Sequence, residues 1–107
     1  MAAELPPPVR AAIEAANAAD IAGFLAAFTP DGVVDDWGRE FQGATEITSW
    51  SDGEFIGVGV TLEVLRAHTE RKDTTVKVQV GGNGFNGPST FTFQAEGDRV
   101  ARMTIRA

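Results

Sequence analysis

The chain has 107 residues, 43% of them hydrophobic and 22% charged, which is typical of one soluble globular domain with a single core. Nine Lys and Arg against 15 Asp and Glu give a formal net charge of -6. This charge argues against nucleic acid or an anionic membrane as a partner, because both attract clustered positive charge. The absence of cysteine excludes disulfides, thiol catalysis and thiolate metal sites.

The first third of the sequence predicts two helices. Residues 1–7 are expected to form a flexible N-terminus that carries no apolar signal-peptide core, so we expect a cytoplasmic protein. The alanine-rich run that follows predicts a helix over residues 8–18. Asp20 is a suitable N-cap for a second short helix, IAGFLAAF. Residues 29–32, Thr-Pro-Asp-Gly, have the chemistry of a turn that would end it.

The remaining two thirds predict a hairpin, a third helix and a meander. GVVDDW and REFQG are two strand-like runs joined at Gly38, and TEITSWSD predicts a helix with Ile47 and Trp50 on one face. From Gly59 onward, apolar residues alternate with polar ones in four runs separated by turn signals at 71–73, 81–88 and 96–98. Helices segregated from an antiparallel sheet indicate an α+β fold.

Two segments in this order and spacing, NAADIAGFLAAFTPDGVVDDWGREFQGATEI and the final GDRVARMTI, resemble the nuclear transport factor 2-like superfamily. Within it, the sequence is most similar to SnoaL-like and ketosteroid-isomerase-like small proteins. The resemblance covers nearly the whole chain as a single domain, 1–107. It implies a cystatin-like cone, in which a curved antiparallel sheet wraps around the N-terminal helices and leaves an apolar pocket at its mouth. It also implies a homodimer.

The resemblance further implies a small apolar molecule as the ligand. Some members of the superfamily catalyse isomerisation, cyclisation or hydration, here expected to need no cofactor. Asp35 and Asp36 face opposite sides of a strand, and the resemblance places Asp36 on the proton-transferring aspartate of the isomerase. An apolar pocket would desolvate this carboxylate and make it a stronger base. We therefore expect Asp36 in the cavity and Asp35 with Trp37 on the opposite face of the strand. A bulge near Gly38 would instead place the Trp37 side chain on the same face as Asp36. Two solvated acids at a strand end are the alternative.

The other groups of the isomerase site are replaced in this chain. Ala12 occupies the position of its oxyanion-stabilising tyrosine, and its hydrogen-bond-donating acid falls on or near Ser89. Because oxyanion stabilisation is usually the largest contribution to such catalysis, steroid isomerase activity is not expected. Two main hypotheses follow: an isomerase, cyclase or hydratase that uses Asp36, or a ligand-binding or dimerisation module without activity. A protein-interaction domain is a third.

Further residues are candidates for the pocket or its surroundings. His68, the only histidine, could pair with Asp36, or lie in solvent at a strand end. A single histidine without cysteine predicts no transition-metal site. Residues 81–88, GGNGFNGP, predict a hairpin connection at the pocket rim with Phe85 as a lid, and Arg102 and Arg106 are expected to solvate the surface or to bind a ligand carboxylate. The expected pocket-lining residues are Val34, Trp50, Phe24, Phe28, Phe55, His68, Ser89 and Phe91.

Overall fold

The computed structural model describes residues 5–107. The helices are α1 (Pro7–Asn17), α2 (Ile21–Ala26) and α3 (Gly43–Glu54), followed by a single 3-10 turn at Ile56–Val58. The strands are β1 (Phe28–Asp36), β2 (Arg39–Gln42), β3 (Thr61–Glu70), β4 (Asp73–Gly81), β5 (Gly87–Glu96) and β6 (Arg99–Arg106). The predicted α+β class and element order are confirmed.

The two N-terminal helices form where the sequence predicts them, with small shifts at their ends. Residues 1–4 of the expected flexible N-terminus lie outside the described residues, whereas Pro7, expected in the same segment, begins α1. Proline fits the first turn because its missing N–H has no helical partner there. Asp20 caps α2, and its side chain accepts a hydrogen bond from the Gly23 N–H at 2.9 Å. None of the described helices is long and apolar enough to cross a membrane.

The six strands form one curved sheet in the order β2-β1-β6-β5-β4-β3. The predicted meander is confirmed, since β3 to β6 pair with their neighbours in an antiparallel manner. The sheet is antiparallel at every strand pair except one, where β1 runs parallel to β6. The turn expected at residues 29–32 is wrong. These residues belong to β1, where the register against β6 shifts between Phe28 and Val33, and such an irregularity accommodates the extra residues within the strand.

The core lies between the sheet and the helices. Alternate residues of β4 and β5 are buried, among them Val76, Val78, Phe91 and Phe93, as expected for strands with one face on the core. A row of aromatic rings continues this core toward one end of the molecule. Phe24 contacts Phe28 and Phe55 with ring centroids 5.1 and 5.5 Å apart. This row ends at the cavity described below.

Candidate functional site

A cavity of about 290 Å³ opens beside α3, at the end of the sheet where β1 turns into β2 and β4 turns toward β5. Its walls are mainly apolar side chains, including Val60, Val80 and Ile105. Five of the residues expected at the pocket line this cavity: Asp36, Trp50, Phe55, Ser89 and Phe91. The α3 helix and the strand β5 thus bring together residues that are far apart in the sequence.

Three of the other expected residues lie in the core. Val34 is 0% exposed and lies two residues before Asp36 on β1, farther from the strand end where the cavity opens. Phe24 is surrounded by other rings and is 1% exposed. Phe28 borders a separate cavity of about 140 Å³. Their assignment to the main cavity is wrong, because all three side chains are packed in the core between the sheet and the helices.

The assignment of His68 to the pocket is also wrong. Its side chain is 78% exposed and lies 3.9 Å from the carboxylate of Glu70. Val60, just before β3, lines the cavity, and the seven residues 61–67 of extended strand separate it from His68, a distance of roughly 25 Å. The histidine therefore cannot pair with Asp36.

Asp36 is the last residue of β1 and its side chain is only 16% exposed. The Oδ2 atom accepts a hydrogen bond from the indole N–H of Trp50 at 3.1 Å and another from the guanidinium of Arg39. Asp36 thus lines the cavity, and a cation and an N–H group compensate its charge. The alternative of two solvated acids is wrong, since neither Asp35 nor Asp36 faces open solvent.

Arg39 joins Asp36 to a second carboxylate of the cavity. Its guanidinium donates to Glu54 at 2.6 and 3.0 Å, and these hydrogen bonds lower the pKa of Glu54. Neither Arg39 nor Glu54 is among the residues predicted for the site from the sequence. A signal for Arg39 was present, because a two-residue turn at Trp37 and Gly38 places Asp36 and Arg39 opposite each other in the hairpin. No local signal indicated Glu54.

Trp37 lies at the cavity and not on the opposite face, so that expectation is wrong. The regular strand ends at Asp36, and Trp37 and Gly38 form the turn with φ values of 55° and 91°. This backbone ends the strand alternation, and it does so without a bulge, since the β1–β2 register is unbroken. The Trp37 side chain is 61% exposed and borders the cavity, as does Phe85, also 61% exposed. Phe85 therefore lies at the rim of the cavity, where the loop of residues 81–88 is expected from the sequence.

Asp35 is buried on the other side of β1, at 6% exposure. Its carboxylate accepts hydrogen bonds from Arg106 at 3.0 Å, from the Gly38 N–H at 2.7 Å and from Arg102 at 2.7 Å. The hydrogen bond from Arg106, followed by those from Gly38 and Arg102, lowers the pKa of Asp35 to about 2. Both arginines are partly exposed to solvent, at 31% and 44% of their side chains. Their guanidinium groups bind Asp35, because the parallel β1–β6 pairing places them beside it.

The two positions that replace isomerase groups differ in their surroundings. Ala12 is 1% exposed in α1 and offers no donor. Ser89 is 3% exposed on β5 and lines the cavity together with Asp36. A carboxylate and a hydroxyl in one apolar cavity can bind a polar group of a ligand from two sides. Within residues 5–107, no group of three or more His, Asp or Glu side chains is arranged to hold a metal ion.

Comparison with known proteins finds solved structures with a similar fold. A solved structure from Sinorhizobium meliloti, a candidate polyketide cyclase, is 26% identical, with 95% of both chains covered and a TM-score of 0.84. A ketosteroid-isomerase-like hypothetical protein from Catenulispora acidiphila, in complex with trimethylamine, is 18% identical, covering 97% of this chain and 87% of that one, with a TM-score of 0.83. A cystatin-fold protein from Novosphingobium aromaticivorans is 17% identical, covering 94% and 95%, with a TM-score of 0.82.

The latter two likenesses show the fold alone. No curated protein sequence matches the chain. The family pattern of the SnoaL-like domain matches residues 9–103, nearly the whole sequence. The chain therefore belongs to the SnoaL-like domain family and has its cystatin-like, nuclear transport factor 2-like fold.

Proposed function

We propose that this protein binds a small, mainly apolar molecule in the 290 Å³ cavity, with Asp36 and Ser89 as its polar contacts. The volume is at the lower end of the ~300–1,000 Å³ found for ligand pockets, which favours a compact ligand. The observation that carries the proposal is the combination of an apolar interior with a carboxylate and a hydroxyl on its wall.

The rim of the cavity supports this proposal. Trp37 and Phe85 each leave 61% of their surface exposed, although large aromatic side chains gain free energy when they are buried. Exposed apolar surface around a concave site is typical of ligand contact. Trp37 also adopts a positive φ of 55°, which is uncommon for a bulky residue and is often found at functional sites.

Binding can be measured by intrinsic fluorescence. The chain has two tryptophans and no tyrosine, and both tryptophans line the cavity. We expect small cyclic ketones and substituted benzenes to change the emission in a saturable manner. Ser89→Leu fills the cavity and should abolish the change, whereas Thr92→Leu, on the other face of β5, should not. Equal binding by both variants, or no saturable binding by any compound, would contradict the proposal.

Proton transfer by Asp36 is a second candidate function, favoured by the presence of Asp36 and Ser89 in one cavity and by the likeness to the candidate polyketide cyclase. Asp36 would remove a proton from a carbon beside a carbonyl group. The Ser89 hydroxyl would donate a hydrogen bond to the resulting enolate oxygen, and Asp36 would return the proton to another carbon. No cofactor takes part in this scheme.

Exchange of the α-hydrogens of a bound cyclic ketone in deuterium oxide tests this step. We expect wild-type protein to accelerate the exchange and Asp36→Asn to abolish the acceleration. Ser89→Ala should lower it by about 10²-fold, the effect of losing one oxyanion donor. If Asp36→Asn exchanges the ketone as fast as wild type while still binding it, the protein is a binding module and Asp36 is not catalytic.

A further inference from the structure

We propose that the ligand of this cavity carries a small organic cation, an alkylammonium or quaternary ammonium group, held by Asp36, Glu54 and the aromatic rings at the rim. This inference rests on the proposed function, because it assumes that the cavity binds a ligand, and it adds the chemical class of that ligand. Charge, hydrogen-bond geometry and aromatic lining each support it independently.

The charges of the cavity wall favour a cation. Asp36 and Glu54 are the two charged residues among those that line the cavity, and both are carboxylates. They share one guanidinium, that of Arg39. Two negative charges and one positive charge leave the cluster with a net charge of -1, which a monovalent cation would balance. The net charge of -6 on the whole chain also attracts cations at long range.

The hydrogen bonds of Asp36 leave one of its oxygens for a ligand. Trp50 and Arg39 both donate to Oδ2, and neither of these bonds involves Oδ1. Because Asp36 lines the cavity, Oδ1 can accept an N–H of an alkylammonium group or contact the polarised methyl groups of a quaternary one. The bonds to Oδ2 fix the carboxylate, so that a cation meets a preformed site.

Two aromatic residues at the rim of the cavity, Trp37 and Phe85, have exposed rings whose faces an organic cation can contact. Trp50 is stacked between Phe41 and Phe55, with centroids 6.0 and 4.8 Å apart, so that it offers its edge to Asp36. Ring faces attract cations, and aromatic cages are the usual recognition site for quaternary ammonium groups. The lining has five aromatic residues: Trp37, Trp50, Phe55, Phe85 and Phe91.

The same features do not suit a metal ion. Calcium and magnesium prefer six or more oxygen ligands, whereas this wall is mainly apolar and offers only the oxygens of Asp36, Glu54 and Ser89 among its side chains. A quaternary ammonium group needs no such set of oxygen ligands, since it is weakly hydrated and can place its methyl groups against aromatic rings. Its apolar remainder would extend toward Phe91 and Ile105.

The test compares choline with the neutral alcohol in which carbon replaces its nitrogen. The two probes have the same shape and differ only in charge. Tryptophan fluorescence at constant ionic strength measures both dissociation constants. We expect choline to bind at least about tenfold more tightly, as an ammonium over an aromatic face with a nearby carboxylate implies. Asp36→Asn and Glu54→Gln should each remove most of this preference. Glu63→Gln, an exposed carboxylate of β3 outside the cavity, should not.

Phe85→Leu provides a test that does not depend on the carboxylates. This exposed loop residue can change without disturbing the core, and leucine keeps apolar bulk while removing the ring. Choline binding should weaken several-fold, while binding of the alcohol should stay unchanged. If the alcohol binds as tightly as choline, the cation proposal is wrong and apolar binding stands. If neither probe binds but neutral cyclic ketones do, the cation proposal is again wrong and the proposal of apolar binding stands. If no compound binds at all, the proposed function and the cation proposal both fail.

Discussion

Replacement of Asp35 by asparagine should destabilise the fold by about 2 kcal/mol near neutral pH. The structure lowers the pKa of this side chain from 3.8 to about 2, mainly through Arg106. A tenfold change in proton affinity corresponds to about 1.4 kcal/mol, so the ionised carboxylate contributes close to 2 kcal/mol. Loss of one partner from a fully buried ion pair costs ~3–5 kcal/mol. We expect less here, because Arg102 and Arg106 are 31% and 44% exposed and water can solvate them.

The pH dependence distinguishes this electrostatic contribution from simple packing. The pKa of Asp35 is lower in the folded protein than in the unfolded chain. Its contribution is therefore complete above about pH 4 and decreases as the pH falls toward 2. We expect the difference in unfolding free energy between wild type and Asp35→Asn to be constant from about pH 5 to 8. Near pH 3 it should fall to about 1 kcal/mol, because the carboxylate is then largely protonated in the unfolded chain but still mostly ionised in the folded protein.

Urea denaturation followed by tryptophan fluorescence at each pH measures these free energies. Asp98→Asn is the matched control, since Asp98 lies exposed in the β5–β6 turn and its replacement should change stability by less than about 0.5 kcal/mol. Two results would refute the reasoning. One is an Asp35→Asn protein as stable as wild type near pH 7, and the other is a loss of stability that does not shrink with acid.

Two further predictions concern packing around the site. Asn17→Ala should lower the free energy of unfolding by about 1–3 kcal/mol. The Asn17 side-chain amide both donates to and accepts from the backbone of Leu62, at 2.9 and 2.7 Å, and so joins α1 to β3. A change below about 0.5 kcal/mol in urea denaturation would contradict this. Phe55→Ala should cost about 3–5 kcal/mol and enlarge the cavity, since Phe55 is 4% exposed and packs against the rings of Trp50 and Phe91. A variant that melts like wild type in calorimetry would show that these ring contacts contribute little.

Local sequence patterns predicted most of the fold. Alternation of apolar and polar residues along β3 to β6 is a property of each strand by itself, and the turns between them carry their own signals, such as residues 96–98. The Asp20 cap is similarly local, since its acceptor and donor are three residues apart. The order of these elements then indicated the family, and the family match confirms it.

The candidate site was less predictable because its contacts are long-range. The parallel pairing of β1 with β6 joins residues about 70 positions apart, and without it nothing places Arg102 and Arg106 beside Asp35. The ion pair of Arg39 with Glu54 depends on how α3 packs against the hairpin. The position predicted for Trp37 is wrong for a different reason. Strand alternation predicts its side, but the strand ends at Asp36 and Trp37 lies in a turn that a tryptophan rarely occupies.

The central claim is that the cavity beside α3 is the ligand site of this protein. Proton–nitrogen NMR tests it directly, because each tryptophan contributes one indole N–H signal and both side chains line the cavity. One of the two ligand types proposed above, choline or a small cyclic ketone, should on addition shift both indole signals together with the backbone amides of Gly84, Phe85 and Ser89. The Trp50 signal should move because its N–H is bonded to Asp36. Unchanged indole signals, or shifts confined to the far end of the sheet around His68 and Lys72, would contradict the account.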